Sequence, residues 1–143
     1  MKQKIIIYGC GDFAQQMYWY FSHDSVYEVV GFCVDSQFMV THKIKGLSVY
    51  SFENIEKKFP PSEYKMFVAV GYSKMRNRQQ MFQKAKNKGY EFINYISSQA
   101  QLAIGTVLGC NNVILSNVVV EPNVCIQDNN IVWSNATICH DVV

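Results

Sequence analysis

One group of residues near the start of this 143-residue sequence has the types and spacing of a phosphate-binding turn. Gly9, Gly11 and Ala14 form a G-x-G-x-x-A pattern directly after the apolar residues 4–8. Small residues let the backbone approach a phosphate, and a helix that starts after the turn offers free N–H groups to an anion. Asp35 ends the next strand-like run, where an acid can meet a ribose or a base edge. A purely structural turn is the alternative, but this context favours contact with phosphate or nucleotide.

A second group near the end of the sequence could transfer a proton. His140 and Asp141 come directly after Ile138 and Cys139. Imidazole changes charge near neutral pH, so a histidine held on a rigid element can act as a positioned base. Judged by itself, His140 would be an ordinary surface residue. Whether His140 can act as a base therefore depends on the element that carries it.

That element is a six-residue repeat over residues 102–143. Every sixth residue is a branched aliphatic, and the position three further on is Gly, Asn or Asp, the types that tolerate a left-handed backbone at a corner. The two series are Leu102, Leu108, Ile114, Val120, Ile126, Val132, Ile138 and Gly105, Asn111, Asn117, Asn123, Asn129, Asn135, Asp141.

One inward aliphatic and one corner per hexad predict short strands, each stacked on the strand one coil earlier. This is a parallel β-helix. The pattern resembles that of the hexapeptide-repeat acyltransferases, and this resemblance implies three six-residue sides in each coil. We assign the β-helix to residues 99–143. His140 then lies on a rigid solenoid, and Trp133, just after an inward aliphatic, points outward.

Residues 1–98 alternate between strand-like and helix-like segments, which predicts a small Rossmann-like α/β domain with a parallel sheet. Ser73 is expected to cap the third helix. Gly71 and Arg76 follow the third strand, where ligands of open α/β sheets collect, although such arginines are often only solvated. The expected strands are 4–8, 27–34, 64–70 and 91–96, and the expected helices are 15–22, 52–59 and 74–88.

Composition excludes several classes of function. A net charge of +2 with 17% charged residues gives no strong field for nucleic acid or an anionic membrane. The five cysteines include no C-x-x-C pair, so neither a disulfide framework nor a zinc site is indicated. The apolar start is too short for a signal peptide or a transmembrane span, and we expect a cytoplasmic protein.

The order of these features resembles a known family. A glycine turn comes first, then Asp35 at the end of the next strand, then Gly71 with Arg76, and finally hexads that reach Ile-Cys-His-Asp-Val around His140. This order, over the whole chain, is similar to that of the sialic-acid O-acetyltransferase-like, nucleotide-sugar acetyltransferases.

The resemblance implies a fold, an activity and a set of site residues. Members join a nucleotide-sugar-binding α/β domain to a left-handed β-helix, assemble as trimers, and bind acetyl-CoA between neighbouring coils. By this resemblance His140 is the general base, and Asp141 either holds the imidazole tautomer or contacts the sugar. On the same basis the substrate-binding residues are Gly9, Gly11, Phe13, Ala14, Asp35, Gly71 and Arg76.

We therefore predict an acetyl-CoA-dependent acetyltransferase that acts on an amino or hydroxyl group of a nucleotide-activated sugar in surface polysaccharide or glycan synthesis. The alternatives are a non-catalytic nucleotide-binding module on a trimerising coil and a small nicotinamide-dependent redox protein. Asp12 replaces a glycine of the family turn, and Trp133 stands where some members have Asn, which leaves N- and O-acetylation both open. Because the family's coil extends further, we expect this β-helix to be truncated and the chain to be incomplete as an enzyme.

Overall fold

The computed structural model describes residues 1–71 and 74–143, which form two compact units, Met1–Phe92 and Ile93–Val143. The expected cap at Ser73 lies outside the described residues. Of the helices described, none is long and apolar enough to span a membrane. Each unit is described by itself below.

The first unit is built on a five-stranded sheet. Its strands are β1 (Gln3–Tyr8), β2 (Tyr27–Val34), β3 (Lys43–Ile44), β4 (Leu47–Ser51) and β5 (Lys65–Val68). They lie in the order β3-β4-β2-β1-β5, and every neighbouring pair is parallel except the edge hairpin β3–β4. The predicted α/β domain with a parallel sheet is confirmed.

Hydrophobic burial explains why these segments take these places. In the central strand β1, Ile5, Ile6 and Ile7 are all fully buried, as a strand covered on both faces requires. The helices of this unit are α1 (Asp12–His23), α2 (Ile55–Lys58) and α3 (Met75–Asn87). Along α1, the buried Phe13, Met17 and Phe21 recur every four residues, so one helical face packs on the core.

The second unit is a left-handed parallel β-helix of two-residue strands, as predicted. The strands form three parallel sheets, in the orders β13-β10-β7, β11-β8 and β12-β9-β6, and each strand pairs with the strand three hexads away. They are β6 (Tyr95–Ile96), β7 (Gln101–Leu102), β8 (Val107–Leu108), β9 (Val113–Ile114), β10 (Val119–Val120), β11 (Cys125–Ile126), β12 (Ile131–Val132) and β13 (Thr137–Ile138).

The predicted corners are also observed. Gly105 has a φ of 89°, and the six Asn and Asp corners have φ between 57° and 67°. The aliphatics of the repeat point inward around a core of Ile114, Val118, Val120, Val124 and Ile126. A regular left-handed corner in every hexad therefore folds the chain into stacked coils.

One element was predicted wrongly. Residues 91–96 do not form a last strand of the sheet, because Phe92 makes only an isolated bridge to Met66, whereas Tyr95–Ile96 pairs with Val113–Ile114 in the coil. The three-hexad spacing explains this, since Tyr95 occupies the same place in its coil as Val113. The functional division into residues 1–98 and 99–143 remains a prediction, while the boundary of the compact units falls between Phe92 and Ile93.

Candidate functional site

The glycine turn has two glycines with different structural roles. Gly9 has a φ of 136°, and a Cβ there would overlap the carbonyl oxygen of Ala69 and lie 3.0 Å from its carbonyl carbon. The same Cβ would lie 3.7 Å from the Cβ of Ala14, so the small residue at position 14 lets α1 pack against the turn. Gly11 has no such neighbour, because nothing lies within 4 Å of a Cβ built on it. Gly9 is therefore required by the fold, and Gly11 leaves open space.

That open space is part of a pocket of about 840 Å³ at the carboxyl edge of the sheet. Segments that follow the parallel strands β1, β2 and β5 meet here, as expected for a ligand site in an open α/β sheet. The lining residues are Gly9, Cys10, Gly11, Asp12, Phe13, Val34, Asp35, Gln37, Phe38, Ala69, Val70, Gly71, Lys74, Asn77, Gln80, Met81 and Lys84.

Five of the predicted substrate-binding residues line this pocket: Gly9, Gly11, Phe13, Asp35 and Gly71. The other two do not. Ala14 is fully buried behind the turn, and Arg76 lies on the exposed surface of α3. A direct role of Arg76 in binding stays a prediction.

The neighbouring arginine has a different environment. Arg78 is fully buried, donates a hydrogen bond of 2.7 Å from Nη1 to the carbonyl oxygen of Val68, and lies over the rings of Phe13 and Phe67. Burial lowers its pKa to about 10. The buried guanidinium holds the end of β5 against the start of α3, and hence helps to shape the pocket from behind.

The Asp35 carboxylate is held by two partners. The Tyr8 hydroxyl donates to Oδ1, and the Lys84 ammonium lies 2.5 Å from Oδ2. The Tyr8 ring also stacks on Phe52 with a centroid distance of 4.2 Å. Burial of Tyr8, and then its bond to Asp35, raises the pKa of the phenol, which therefore stays a proton donor. Asp35 has a side chain only 14% exposed, so its orientation is fixed before any ligand arrives.

The loop after Asp35 is fixed as well. Ser36 donates from its backbone N–H (3.0 Å to Oε1) and from its hydroxyl (2.7 Å to Oε2) to the Glu53 carboxylate, which also accepts from Ser51. The hydroxyls of Ser51 and Ser36 lower the pKa of Glu53 to about 2. Phe38, which is 62% exposed, follows this anchor and lines the pocket.

Sequence reasoning missed the contribution of α3. Lys74, Asn77, Met81 and Lys84 are spaced by three, four and three residues, and all line the pocket. This spacing places Asn77, Met81 and Lys84 on one face of α3, and Lys74 directly precedes the helix. The spacing was visible in the sequence, but only the packing of α3 shows that this face looks into the pocket.

The second candidate site is the coil corner that carries His140. The imidazole Nδ1 lies 2.8 Å from Oδ2 of Asp141, and the two side chains are 69% and 65% exposed. The other carboxylate oxygen, Oδ1, accepts a hydrogen bond of 3.1 Å from the side-chain amide of Asn123. These bonds, that of His140 first, lower the pKa of Asp141. If Asp141 accepts the Nδ1 proton, Nε2 is left as the basic nitrogen.

No group of three His, Cys, Asp or Glu side chains among residues 1–71 and 74–143 is arranged to hold a metal ion. The two candidate sites offer different chemistry. The pocket, with its glycine turn and charged groups, suits an anionic ligand. The exposed imidazole–carboxylate pair suits proton removal from a nucleophile.

Several solved structures share the fold. The acetyltransferase domain of PglB from Neisseria gonorrhoeae, in complex with acetyl coenzyme A, is 20% identical with a TM-score of 0.80, and the alignment covers 99% of this chain and 66% of that one. A histidine-to-asparagine variant of perosamine N-acetyltransferase from Caulobacter crescentus, in complex with CoA and GDP-perosamine, is 20% identical with a TM-score of 0.76, over 94% and 62% of the chains. WeeI from Acinetobacter baumannii is 17% identical with a TM-score of 0.68, over 96% and 65%.

The chain thus spans about two thirds of the length of these proteins or slightly less. No curated protein matches its sequence. Residues 105–140 match the bacterial transferase hexapeptide, six repeats, and residues 4–85, more than half of the chain, match the PglD N-terminal domain. Together these matches confirm the family resemblance that the motifs indicated. This chain belongs to the PglD N-terminal domain family, with transferase hexapeptide repeats following that domain.

Proposed function

We propose that this chain belongs to an enzyme that transfers an acetyl group from acetyl-CoA to an amino or hydroxyl group of a nucleotide-activated sugar, for surface polysaccharide or glycan synthesis. One observation carries the proposal: the chain has an exposed imidazole on a rigid coil, and a carboxylate already occupies its Nδ1. A non-catalytic binding module needs the pocket of the first unit but has no use for an oriented base. The pair of His140 and Asp141 therefore favours the enzyme.

The pocket of the first unit is the proposed site for the nucleotide sugar. Asp12 lies in the first turn of α1, and its negative charge opposes a phosphate placed directly at that helix start. Lys74 and Lys84 line the same pocket and can attract a diphosphate instead. Asp35 keeps acceptor capacity for a ribose or base hydrogen bond, because each carboxylate oxygen has two lone pairs. The similar perosamine N-acetyltransferase was solved with GDP-perosamine bound, which supports this class of ligand.

His140 is the proposed general base. The acceptor nitrogen or oxygen attacks the thioester carbonyl carbon of acetyl-CoA, and Nε2 takes the proton that the acceptor loses. The tetrahedral intermediate then collapses, the C–S bond breaks with its electron pair going to sulfur, and the imidazolium returns the proton to the departing thiolate. Removal of the acceptor proton by a positioned base contributes typically about 10²–10⁴-fold to the rate. Asp141 holds the tautomer of the neutral imidazole and stabilises the imidazolium that forms.

Acetyl-CoA is the proposed acyl donor, and a homotrimer formed through the coil is the proposed assembly. The similar PglB domain was solved with acetyl coenzyme A. At one coil edge, Ile104, Pro122 and His140 occupy equivalent places in successive coils, and Ile104 is fully exposed. Contact with another copy is proposed at this edge, which carries both the base and the exposed Ile104. All five cysteines lie in the part of the chain that the structure describes and none is in a disulfide, which supports a reducing compartment, and we place the protein in the cytoplasm.

Ligand binding tests the first part of the proposal. Calorimetric titrations of the gene product that carries this sequence with a UDP-sugar, a GDP-sugar, acetyl-CoA and NAD separate the acetyltransferase from the binding module and the redox protein. We expect a nucleotide sugar to bind, and the Asp12→Asn variant to bind it more tightly because a repelling charge is lost. Binding of NAD alone would refute the acetyltransferase.

Catalysis tests the second part. In the gene product that carries this sequence, acetyl transfer is followed by release of the CoA thiol. His140→Ala should lower kcat by about 10²–10⁴ with little change in nucleotide-sugar affinity, because a general base acts in the transition state. His42→Ala, which removes an exposed histidine of the first unit, is the matched control. Full activity of His140→Ala would show that His140 is not the general base.

A further inference from the structure

The corner that carries His140 and Asp141 is bonded to the corner one coil earlier. The backbone N–H of His140 donates to Oε2 of Glu121 over 2.8 Å, and the Asn123 amide donates to Oδ1 of Asp141 over 3.1 Å. Between them, the backbone N–H of Asp141 donates to the carbonyl oxygen of Pro122 over 3.2 Å. Three consecutive residues of one coil thus hold two consecutive residues of the next.

Only part of this arrangement is common to the coil. At other corners the same backbone bond recurs, from Asn129 to Cys110 and from Asn135 to Ser116. It is therefore the ordinary stacking of the β-helix. Side-chain bonds between coils also recur, because the Asn111 amide donates to Oδ1 of Asn129 over 2.8 Å and the Cys110 backbone N–H donates to the Asp128 carboxylate over 2.7 Å. What distinguishes the corner at His140 is that Glu121 accepts from the backbone of the histidine itself, while the Asn123 amide donates to the carboxylate beside its ring rather than to a neutral amide. A hydrogen bond to an ionised acceptor is stronger than one between neutral groups.

We propose that Glu121 and Asn123 are positioning residues for the base, and this inference rests on the proposed function of His140. Asn123 holds one oxygen of Asp141, so the other oxygen faces Nδ1 of the imidazole. Glu121 holds the peptide N–H of His140, which fixes the Cα from which the exposed ring projects. Neither residue contacts the reacting atoms. Their effect is to keep the ring in the tautomer that leaves Nε2 free to accept a proton.

The exposure of the pair makes such help necessary. Both side chains are about two-thirds exposed, so packing does not restrict their rotation. Without a second hydrogen bond, an exposed carboxylate rotates away from the ring, and its hydrogen bond to the imidazole is replaced by one to water. The lowered pKa of Asp141 has the Asn123 amide among its causes, which agrees with a bond made to the charged carboxylate.

The corner itself suggests a clean variant. Asn123 has a φ of 63°, which glycine adopts readily, so Asn123→Gly keeps the backbone turn and removes only the amide. Asn117→Gly, at an equivalent corner with a φ of 60°, is the matched control. For Glu121, Glu121→Ala removes the acceptor, and Glu121→Gln restores an acceptor oxygen without the charge.

The test reads the tautomer of His140 directly in the 143-residue chain, by long-range ¹H–¹⁵N NMR at a pH where the ring is neutral. His23 and His42 serve as internal references. We expect the Nδ1–H form of His140 to predominate in the wild type and in Asn117→Gly, and to fall in Asn123→Gly towards the ratio of the exposed His42. Glu121→Ala should shift the ratio in the same direction, and Glu121→Gln should largely restore it.

In the active gene product, Asn123→Gly should lower kcat by about tenfold with little change in KM for the nucleotide sugar, which is the lower end of the losses seen when the partner that orients a metal-ligating histidine is removed. An unchanged tautomer ratio in Asn123→Gly overturns the inference, and so does an equal shift in Asn117→Gly, which would reflect general loosening of the coil. The proposed function fails separately, through full activity of His140→Ala. The NMR measurement does not depend on activity, so the two failures are distinguishable.

Discussion

The two glycines of the turn should respond in opposite ways to the same added methyl group. In Gly9→Ala the new Cβ overlaps the carbonyl oxygen of Ala69, a backbone atom that cannot swing aside. The residue must also keep a φ of 136°, which L side chains rarely adopt. Backbone strain of this kind costs about 1–3 kcal/mol, and overpacking costs about 1–3 kcal/mol more. We therefore expect a loss of about 2–6 kcal/mol in the free energy of unfolding of the first unit.

Gly11→Ala has no comparable penalty. Gly11 has a φ of −84°, which alanine adopts without strain, and nothing lies within 4 Å of the position of a new Cβ. Its methyl group would instead occupy part of the pocket. We expect unchanged stability and weaker binding of a nucleotide sugar, because the methyl group takes up space in the pocket that the ligand would occupy.

The assay combines unfolding with binding. Urea denaturation followed by circular dichroism gives the stability of each variant, and hydrogen exchange over Gln3–Tyr8 assigns a loss to the first unit. Titration calorimetry with a nucleotide sugar gives the affinity. Normal stability of Gly9→Ala would refute the steric argument, and normal affinity of Gly11→Ala would show that the ligand does not approach the turn.

Three further predictions concern the coil corners, the pocket acid and a carboxylate that stabilises the first unit. Asn129→Val should lower the free energy of unfolding by about 1–2 kcal/mol, because valine is strained at a φ of 67°. Gln127→Val, at an exposed position outside the corners, should change it little. Equal melting temperatures of the two variants would contradict the assignment of the corners. Asp35→Ala should weaken nucleotide-sugar binding by about 1–3 kcal/mol in calorimetry and leave acetyl-CoA binding unchanged. If the nucleotide-sugar titrations of wild type and variant superimpose, the ligand does not bind at the end of this strand. The pKa of Glu53 is lowered from 4.5 to about 2, so the stability it contributes is complete above about pH 4.5 and is lost as the pH falls towards 2. Relative to Glu53→Gln, the wild type should lose stability to urea across that range, by a modest amount because the carboxylate is exposed; parallel pH profiles would contradict this.

The sequence by itself determined the coil, because the β-helix is a local and repeated solution. Each hexad needs one inward aliphatic and one left-handed corner, and both requirements can be seen in residue types at fixed spacing. The same logic located the turn at Gly9 and Gly11, because strand, glycines and helix follow one another directly. It also located Asp35, which lies at the carboxyl end of a buried strand and does line the pocket.

Only the tertiary structure decided which residues meet through space. Arg76 and Arg78 look equivalent in the sequence, yet the packing of α3 leaves the first exposed and buries the second. The same packing brings Lys84 to the Asp35 carboxylate over a separation of 49 residues. Residues 95 and 96 belong to the coil because they pair with Val113–Ile114, one coil later. Their own alternating pattern is compatible with either the sheet of the first unit or the coil. The local sequence pattern determines whether a segment forms a helix, a strand or a corner. Its contacts depend on which helix face is buried and on which partner strand is available, and these two properties cannot be read from the sequence of one segment.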